Sequence, residues 1–314
     1  MGATSFAPTG TPNGVERFSG ELRVEVRPAS PFRLPLRGGM DSVLRHRGGV
    51  LERLLHHEEE PVLVRVAQTA EDRVLFGARA SSPAGATYGI ARMRFALGVD
   101  EDMREFYRRF ARDPLIGSSV RRRPWLRVMR RPEPFEALAW AICEQLIEFE
   151  RAAAIQRRVV ARLGRCSVGA DGNTVRDLPT PAALAGVAPA LLESFDLAPV
   201  RAIALVRAAR EVASGRVDLH ASNHEHAWRR LRAIPGIGAW TVEMLALFGQ
   251  GRHDQLPAAD VGLLKLVGRH LSGGSGWGGG GWGSHPRAQE HEVRAFFAPY
   301  EEWAGLAAVH MRAL

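Results

Sequence analysis

The 314-residue chain is 46% hydrophobic and 24% charged, which excludes a disordered polymer and leaves room for two packed domains. Its net charge is +8, and all of its 42 basic residues except Lys265 are arginine, a side chain whose planar fork grips phosphate oxygens in pairs. Cys143 and Cys166 lack the CxxC spacing of a zinc site or a four-cysteine iron–sulfur cluster, and no apolar run is long enough for a membrane span.

Residues 1–16 carry no basic segment followed by an apolar run, so they read as a disordered tail rather than a signal peptide. A cytoplasmic monomer with no organic cofactor is expected. From 17 to 120 the pattern suits an α+β lobe. In residues 21–27, Leu22, Val24 and Val26 alternate with charged residues, the period-two mark of a half-buried strand. His56 and His57 with the three following glutamates read as a polar helix end rather than a metal cluster. Val62, Val64 and Val66 then alternate around Arg65, and a polar turn at 69–72 leads to Val74, Leu75 and Phe76, which predicts an antiparallel hairpin. Ala91, Met93, Phe95 and Leu97 alternate with Arg92 and Arg94 and predict a further strand. Asp100 supplies an N-cap for a helix running to Arg112, where Asp113-Pro114 stops it.

From 121 to 314 the pattern is helical. Arg121, Arg122, Arg123, Arg127, Arg130 and Arg131 surround Trp125 at the junction, as a phosphate contact or as a solvated linker face. Residues 135–163 predict one long alanine-rich helix, with Cys143 as a small core residue. Thr180-Pro181 opens another helix, and two more cover 199–214 and 224–233. The glycine-rich segment 272–283 reads as a flexible loop; stacking of Trp277 and Trp282 on bases is the alternative. The fold class is therefore α+β: a small antiparallel-sheet lobe, then an all-helical core.

The most informative segment is LRAIPGIGAWTVEMLALF at 231–248. One helix ends at Ile234, Pro235, Gly236, Ile237 and Gly238 make a tight turn, and a second helix starts near Ala239. Two glycines permit positive φ and leave no side chain between backbone and ligand. The N–H groups of the turn and of the second helix's first turn then face outward at the positive end of a helix dipole, which suits phosphate. Alone, this turn also fits an ordinary glycine-capped helix connection. It is followed by Asp260 in LPAADVGLLKLVGRHL, placed to cap a helix over 261–271. A carboxylate there does two things at once. It accepts helix N–H groups, and it can stabilise positive charge on a deoxyribose as a glycosidic bond breaks and orient the attacking water.

A PGIG hairpin followed about twenty residues later by Pro-x-x-Asp resembles the helix-hairpin-helix (HhH-GPD) DNA glycosylase superfamily, and within it the bacterial 3-methyladenine DNA glycosylase II family. Segments 134–160 and 296–310 look like that family's first and last core helices, and the resemblance covers about 115–310. It implies a hairpin unit at about 224–248 and a catalytic Asp260. It also implies double-stranded damaged DNA as the partner, held by Pro235, Gly236, Ile237, Gly238 and Thr241. Gln145 and Leu146 match a DNA-facing segment, either of which would plug the gap left by a flipped base. Trp240 matches the tryptophan that stacks on an alkylated base, and Met244, one turn on, would line the pocket. Members that also nick the backbone carry a lysine where Trp240 stands, so the resemblance implies a monofunctional enzyme that uses water and leaves an abasic site. It further implies a sodium or potassium ion at the backbone of Ile234 and Ile237. One departure concerns the pocket. Where the family commonly has an aromatic after its C-terminal histidine, Met311 and Arg312 follow His310, and Tyr300 or Trp303 would have to supply the ring. Two other functions stay open: a glycosylase for another damaged or mismatched base, and a non-catalytic DNA-binding protein. Asp260 counts against the second, because an acidic group beside DNA weakens binding.

Overall fold

In the computed structural model, residues 20–272 and 287–313 are described; the tail at 1–16 and both Trp277 and Trp282 lie outside them. Five strands, β1 (Gly20–Val26), β2 (Leu44–Arg47), β3 (Val50–His57), β4 (Glu60–Ala70) and β5 (Arg73–Ala80), form one antiparallel sheet in the order β1-β5-β4-β3-β2. The expected hairpin is present as β4 and β5, with Val66 opposite Phe76 and Val64 opposite Ala78. His56 and His57 do not end a helix. They end β3, and Glu58, at φ +55°, turns the chain into β4. Strand β3 escapes a period-two reading because both of its faces are covered. Leu51 and Leu55 join the sheet's main apolar cluster, and Leu54 packs with Leu63 and Val175 on the other side.

The strand expected at 91–97 is the second half of helix α1 (Pro83–Leu97). The Ser82 hydroxyl accepts the Gly85 N–H and Pro83 occupies the first turn, both strong start signals. Ala86, Gly89, Ile90, Met93 and Leu97, three or four residues apart, are its buried side. A Cβ on Gly89 would come within 2.5 Å of Val62, so the helix lies close against the sheet. The alternation misleads because Phe95 sits off that stripe, held between the guanidinium groups of Arg92 and Arg130.

Asp100 does not cap the next helix; it grips Arg94 through both carboxylate oxygens. Helices α2 (Arg104–Phe110) and α3 (Gly117–Arg122) bury Phe106, Phe110, Ile116 and Val120 in one cluster with C-terminal residues Phe297, Tyr300 and Met311. Within the arginine run, three members are internal struts rather than phosphate contacts. Arg127 donates to the carbonyls of Pro31 and Gly98, Arg130 pairs with Glu101 at 2.7 Å, and Arg131 with Asp41 at 2.8 Å.

The long helix expected over 135–163 is two helices, α4 (Pro134–Glu144) and α5 (Phe149–Leu163), broken at residues 145–148 where Leu146 takes φ +54°. A two-stranded ribbon, β6 (Cys166–Val168) with β7 (Thr174–Arg176), interrupts the region expected to be purely helical. The chain continues through α6 (Pro181–Ala185), α7 (Pro189–Glu193), α8 (Pro199–Ala213), α9 (Glu225–Arg232), α10 (Ala239–Gly249), α11 (Val261–Leu271), α12 (Glu290–Phe297), a short 3-10 turn and α13 (Ala304–Arg312). Helix α10 packs along α4, and residues of α4, α5, α8, α9 and α10 share one apolar cluster. No helix among the described residues is long and apolar enough to cross a membrane.

Sheet and helices are joined by buried charge. Arg53 of β3, 1% exposed, reaches Glu136 of α4 at 2.7 Å and Asp177 at 3.0 Å. Asp177 also meets His56 at 2.8 Å. Asp41 in turn accepts the Trp140 indole N–H at 2.9 Å. Removing one partner strands the others in low dielectric, so Arg53→Leu is expected to lose about 3–5 kcal/mol in urea unfolding. Replacing Glu136 by Leu and Asp177 by Asn in that background should recover part of the loss; a shift in Arg53→Leu below about 1 kcal/mol would remove this network as the clamp.

At the other end, His310 of α13 is fully buried, 3.1 Å from the Ser119 hydroxyl and tilted against the Phe106 ring. Burial pushes its pKa down to about 4, below the usual value of about 6.5. The unfolded chain therefore binds a proton that the folded chain refuses. Its contribution to stability is complete above about pH 6.5 and is lost as pH falls towards 4, by roughly 2–3 kcal/mol. Unfolding curves of wild type and His310→Gln between pH 7 and 4.5 should converge as pH falls, and parallel curves would refute this role.

Candidate active site and hairpin

The hairpin forms where α9 runs out of apolar positions. The Ile237 N–H donates to the Ile234 carbonyl at 3.0 Å, and both side chains are buried as plugs. Gly236 takes φ +91°, and a Cβ there would stand 3.2 Å from Val200 and 3.3 Å from Ala204 of α8. Positive φ and the close approach both select glycine. Gly238 is the N-cap of α10 and has no side chain to satisfy the helix's first N–H groups. Pro235, Gly236 and Gly238 are exposed. The result is a bare, outward-facing helix start on a firmly packed turn.

The break between α4 and α5 stands beside this turn. The Gln145 side-chain amide donates to the Gly236 carbonyl and to the Thr241 hydroxyl, each at 2.8 Å. Thr241 is itself buried. From the other side, Arg201 donates to the carbonyls of Cys143 and Gln145. With Gln145 tied inward, Leu146 is left 95% exposed, a large apolar side chain standing in solvent on a left-handed backbone. Of the two residues singled out for the gap, only Leu146 has a side chain that is not engaged with the hairpin.

Between sheet and helices lies a cavity of about 700 Å³ whose wall includes Trp240, Met244, Asp260, Glu144, Phe149 and Arg312. Asp260 caps α11: its Oδ1 accepts the Gly262 N–H at 2.8 Å and the Leu263 N–H at 3.1 Å, and also the Arg312 guanidinium. Its Oδ2 has no hydrogen bond among the described residues. The carboxylate is thus fixed through one oxygen and available through the other.

Tyr300 and Trp303 do not supply the missing ring. The Tyr300 hydroxyl donates to Asp113, and Trp303 packs on Phe106 and His253, so neither reaches the cavity. Met311 is buried in the C-terminal cluster. Arg312 instead takes part in the site, through Asp260. The aromatic wall comes from Trp140, Phe149, Trp240 and Phe248.

Glu144 is the residue that sequence reasoning passed over. It ends α4 and lines the cavity, and its Oε1 accepts the side-chain amide of Gln156 from α5 at 2.9 Å. Burial pushes its carboxyl above the usual range; Gln156 and Arg131 oppose this, and the neighbouring Asp41 and Asp260 reinforce it. The available signal was a lone acid closing the apolar run 137–143.

No family model matches the chain. The DNA-3-methyladenine glycosylase of Bacillus subtilis is 25% identical over 216 residues, spanning 68% of this chain and 67% of that one. A protein of Mycobacterium tuberculosis named as a probable bifunctional transcriptional activator/DNA repair enzyme AlkA is 30% identical over 181 residues. That match spans 58% of this chain but only 36% of the relative. Among solved structures, the 3-methyladenine DNA-glycosylase from Archaeoglobus fulgidus has the same fold, with a TM-score of 0.77 at 20% identity over 92% of this chain and 97% of that one. The chain is similar in sequence to DNA-3-methyladenine glycosylases and shares the fold of the Archaeoglobus fulgidus enzyme.

Proposed function

We propose that this relative of the 3-methyladenine glycosylases is a monofunctional DNA glycosylase of base-excision repair, which hydrolyses the N-glycosidic bond of alkylated purines in double-stranded DNA and leaves an abasic site. The observation that carries the reading is Asp260, anchored by its helix through one oxygen and with the other uncommitted in a cavity that also holds Trp240. A carboxylate held this way stabilises the positive charge that develops at C1′ and orients water towards it.

The remaining parts take their roles from geometry. The exposed N–H groups at Gly238 and Ala239 grip a backbone phosphate. Leu146 fills the space of the extruded nucleotide, while Gln145 and Thr241 hold that loop against the hairpin. The flipped base lies against the Trp240 face, with Met244 beside it. A cationic alkylpurine gains from the indole quadrupole and departs as a neutral molecule. With tryptophan at position 240 and Lys265 within α11, the attacking group in this reading is water, and no covalent imine forms. A sodium or potassium ion at the carbonyls of Ile234 and Ile237 fits to the extent that Ile234, which accepts one N–H, keeps a second lone pair.

Asp260→Asn is expected to slow release of 3-methyladenine or 7-methylguanine from methylated duplex at least 100-fold, with binding to an abasic-analogue duplex retained. If the wild type binds such duplexes but frees no methylated base, the alkylpurine reading fails. The product strand should stay intact until alkali is added, and borohydride should trap no protein–DNA adduct. Leu146→Ala should reduce single-turnover release about tenfold while leaving the fold intact; an unchanged rate would take the wedge role away from Leu146.

A further inference from the structure

The proposed reaction on a cationic base needs no acid, yet the cavity holds a second carboxyl. Resting on that reading, we propose that Glu144 is a further catalytic residue, an acid that protonates the departing base and so extends the enzyme to damaged purines that carry no positive charge.

Three observations converge on it. Glu144 shares the cavity wall with Trp240 and Asp260, so it stands within the space a flipped base occupies. Its carboxyl is oriented, because Gln156, itself buried, donates to Oε1. Oε2 has no hydrogen-bond partner among the described residues. A proton carried by Glu144 therefore sits on Oε2, since Oε1 is already an acceptor. The charged groups around it are Arg131 from the segment before α4, Asp41 from the loop before β2 and Asp260 at the start of α11. Two of these three are carboxylates, and together with burial they outweigh Arg131 and Gln156 and raise the carboxyl above its usual range. Asp260 lives differently, with two backbone N–H groups and Arg312 on its Oδ1. Two carboxyls in one cavity with opposite surroundings are the arrangement that divides acid from charge stabiliser.

The step balances without any added reagent. The Oε2 proton passes to a ring nitrogen of the purine as the C1′–N9 electron pair leaves with the base, which departs neutral. Water bonds to C1′ and gives its proton to the Asp260 carboxylate. Asp260 then releases that proton to solvent, and Glu144 takes one up. For an already cationic base the first transfer is unnecessary, so the acid should matter for one substrate class and not the other.

That difference is the test. Single-turnover release would be measured from pH 5.5 to 8.5 on duplexes carrying one hypoxanthine, an uncharged purine, and on duplexes carrying 7-methylguanine. Wild type and Glu144→Gln would be compared, with thermal unfolding to confirm that the variant folds. The wild-type rate on hypoxanthine should fall as pH rises through the titration of Glu144. Glu144→Gln should lose about 100-fold on hypoxanthine together with that pH limb, while its 7-methylguanine rate stays within threefold. Equal losses on both bases, or wild-type release of 7-methylguanine without hypoxanthine, would overturn the acid role and leave the glycosylase reading standing. Release of neither base would overturn the alkylpurine reading and the acid role with it. If the Gln variant does not fold, Glu144→Asp supplies the same comparison, with a shifted pH limb on hypoxanthine alone.

Discussion

Everything at the cavity depends on a few charges being buried together. Arg53 is carried by the sheet, Glu136 by α4, and Asp177 by the segment after β7. None of them tolerates a dry environment alone, so the sheet and the helical region have to meet in one register. Arg131, bonded to both Asp41 and Glu136, extends that register to the cavity wall. Apolar packing would hold the two regions together in several nearby arrangements. Buried ion pairs of defined geometry accept very few, which suits a site whose walls come from both sides of the seam.

Within the cavity, chemistry follows from how each group is held rather than from which groups are present. Asp260 gains its setting from the first turn of α11 and from Arg312, which arrives from the last helix of the chain. Met311 and Arg312 follow His310 where the resemblance implies a ring, and only Arg312 reaches the site. Arg312 brings charge to the cavity, and Trp140, Phe149, Trp240 and Phe248 provide its aromatic surface.

How much of this was legible in the sequence depended on the range of the forces involved. The hairpin and Asp260 were readable because turn chemistry and helix capping act over a few residues. Strand β1, at the sheet edge, alternates clearly because one of its faces stays wet. Strand β3 does not alternate, because both faces are covered. In α1, Arg92 and Arg94 break the apolar pattern and mimic a strand, while Phe95 lies off the buried stripe beneath Arg92 and Arg130. The break at Leu146 was hidden by a composition that favours helix throughout; what ends α4 there is Gln145 bonding to a hairpin 91 residues further on. Glu144, Phe149 and Arg312 were invisible as a group for the same reason. Nothing local marks three residues that only the tertiary fold places in one wall.

Gln145 has a consequence of its own. A single amide links the loop that bears Leu146 to the turn that would hold a phosphate. The span between them acts as a fixed gauge, set before any nucleic acid arrives. In the proposed reading, a duplex that engages both ends meets a spacing already set by the Gln145 hydrogen bonds. Stretches of DNA that unstack with little effort, as damaged or mispaired positions do, then meet the gauge more readily than intact helix. Selection for damage can thus begin with stiffness, before any atom of the base is read.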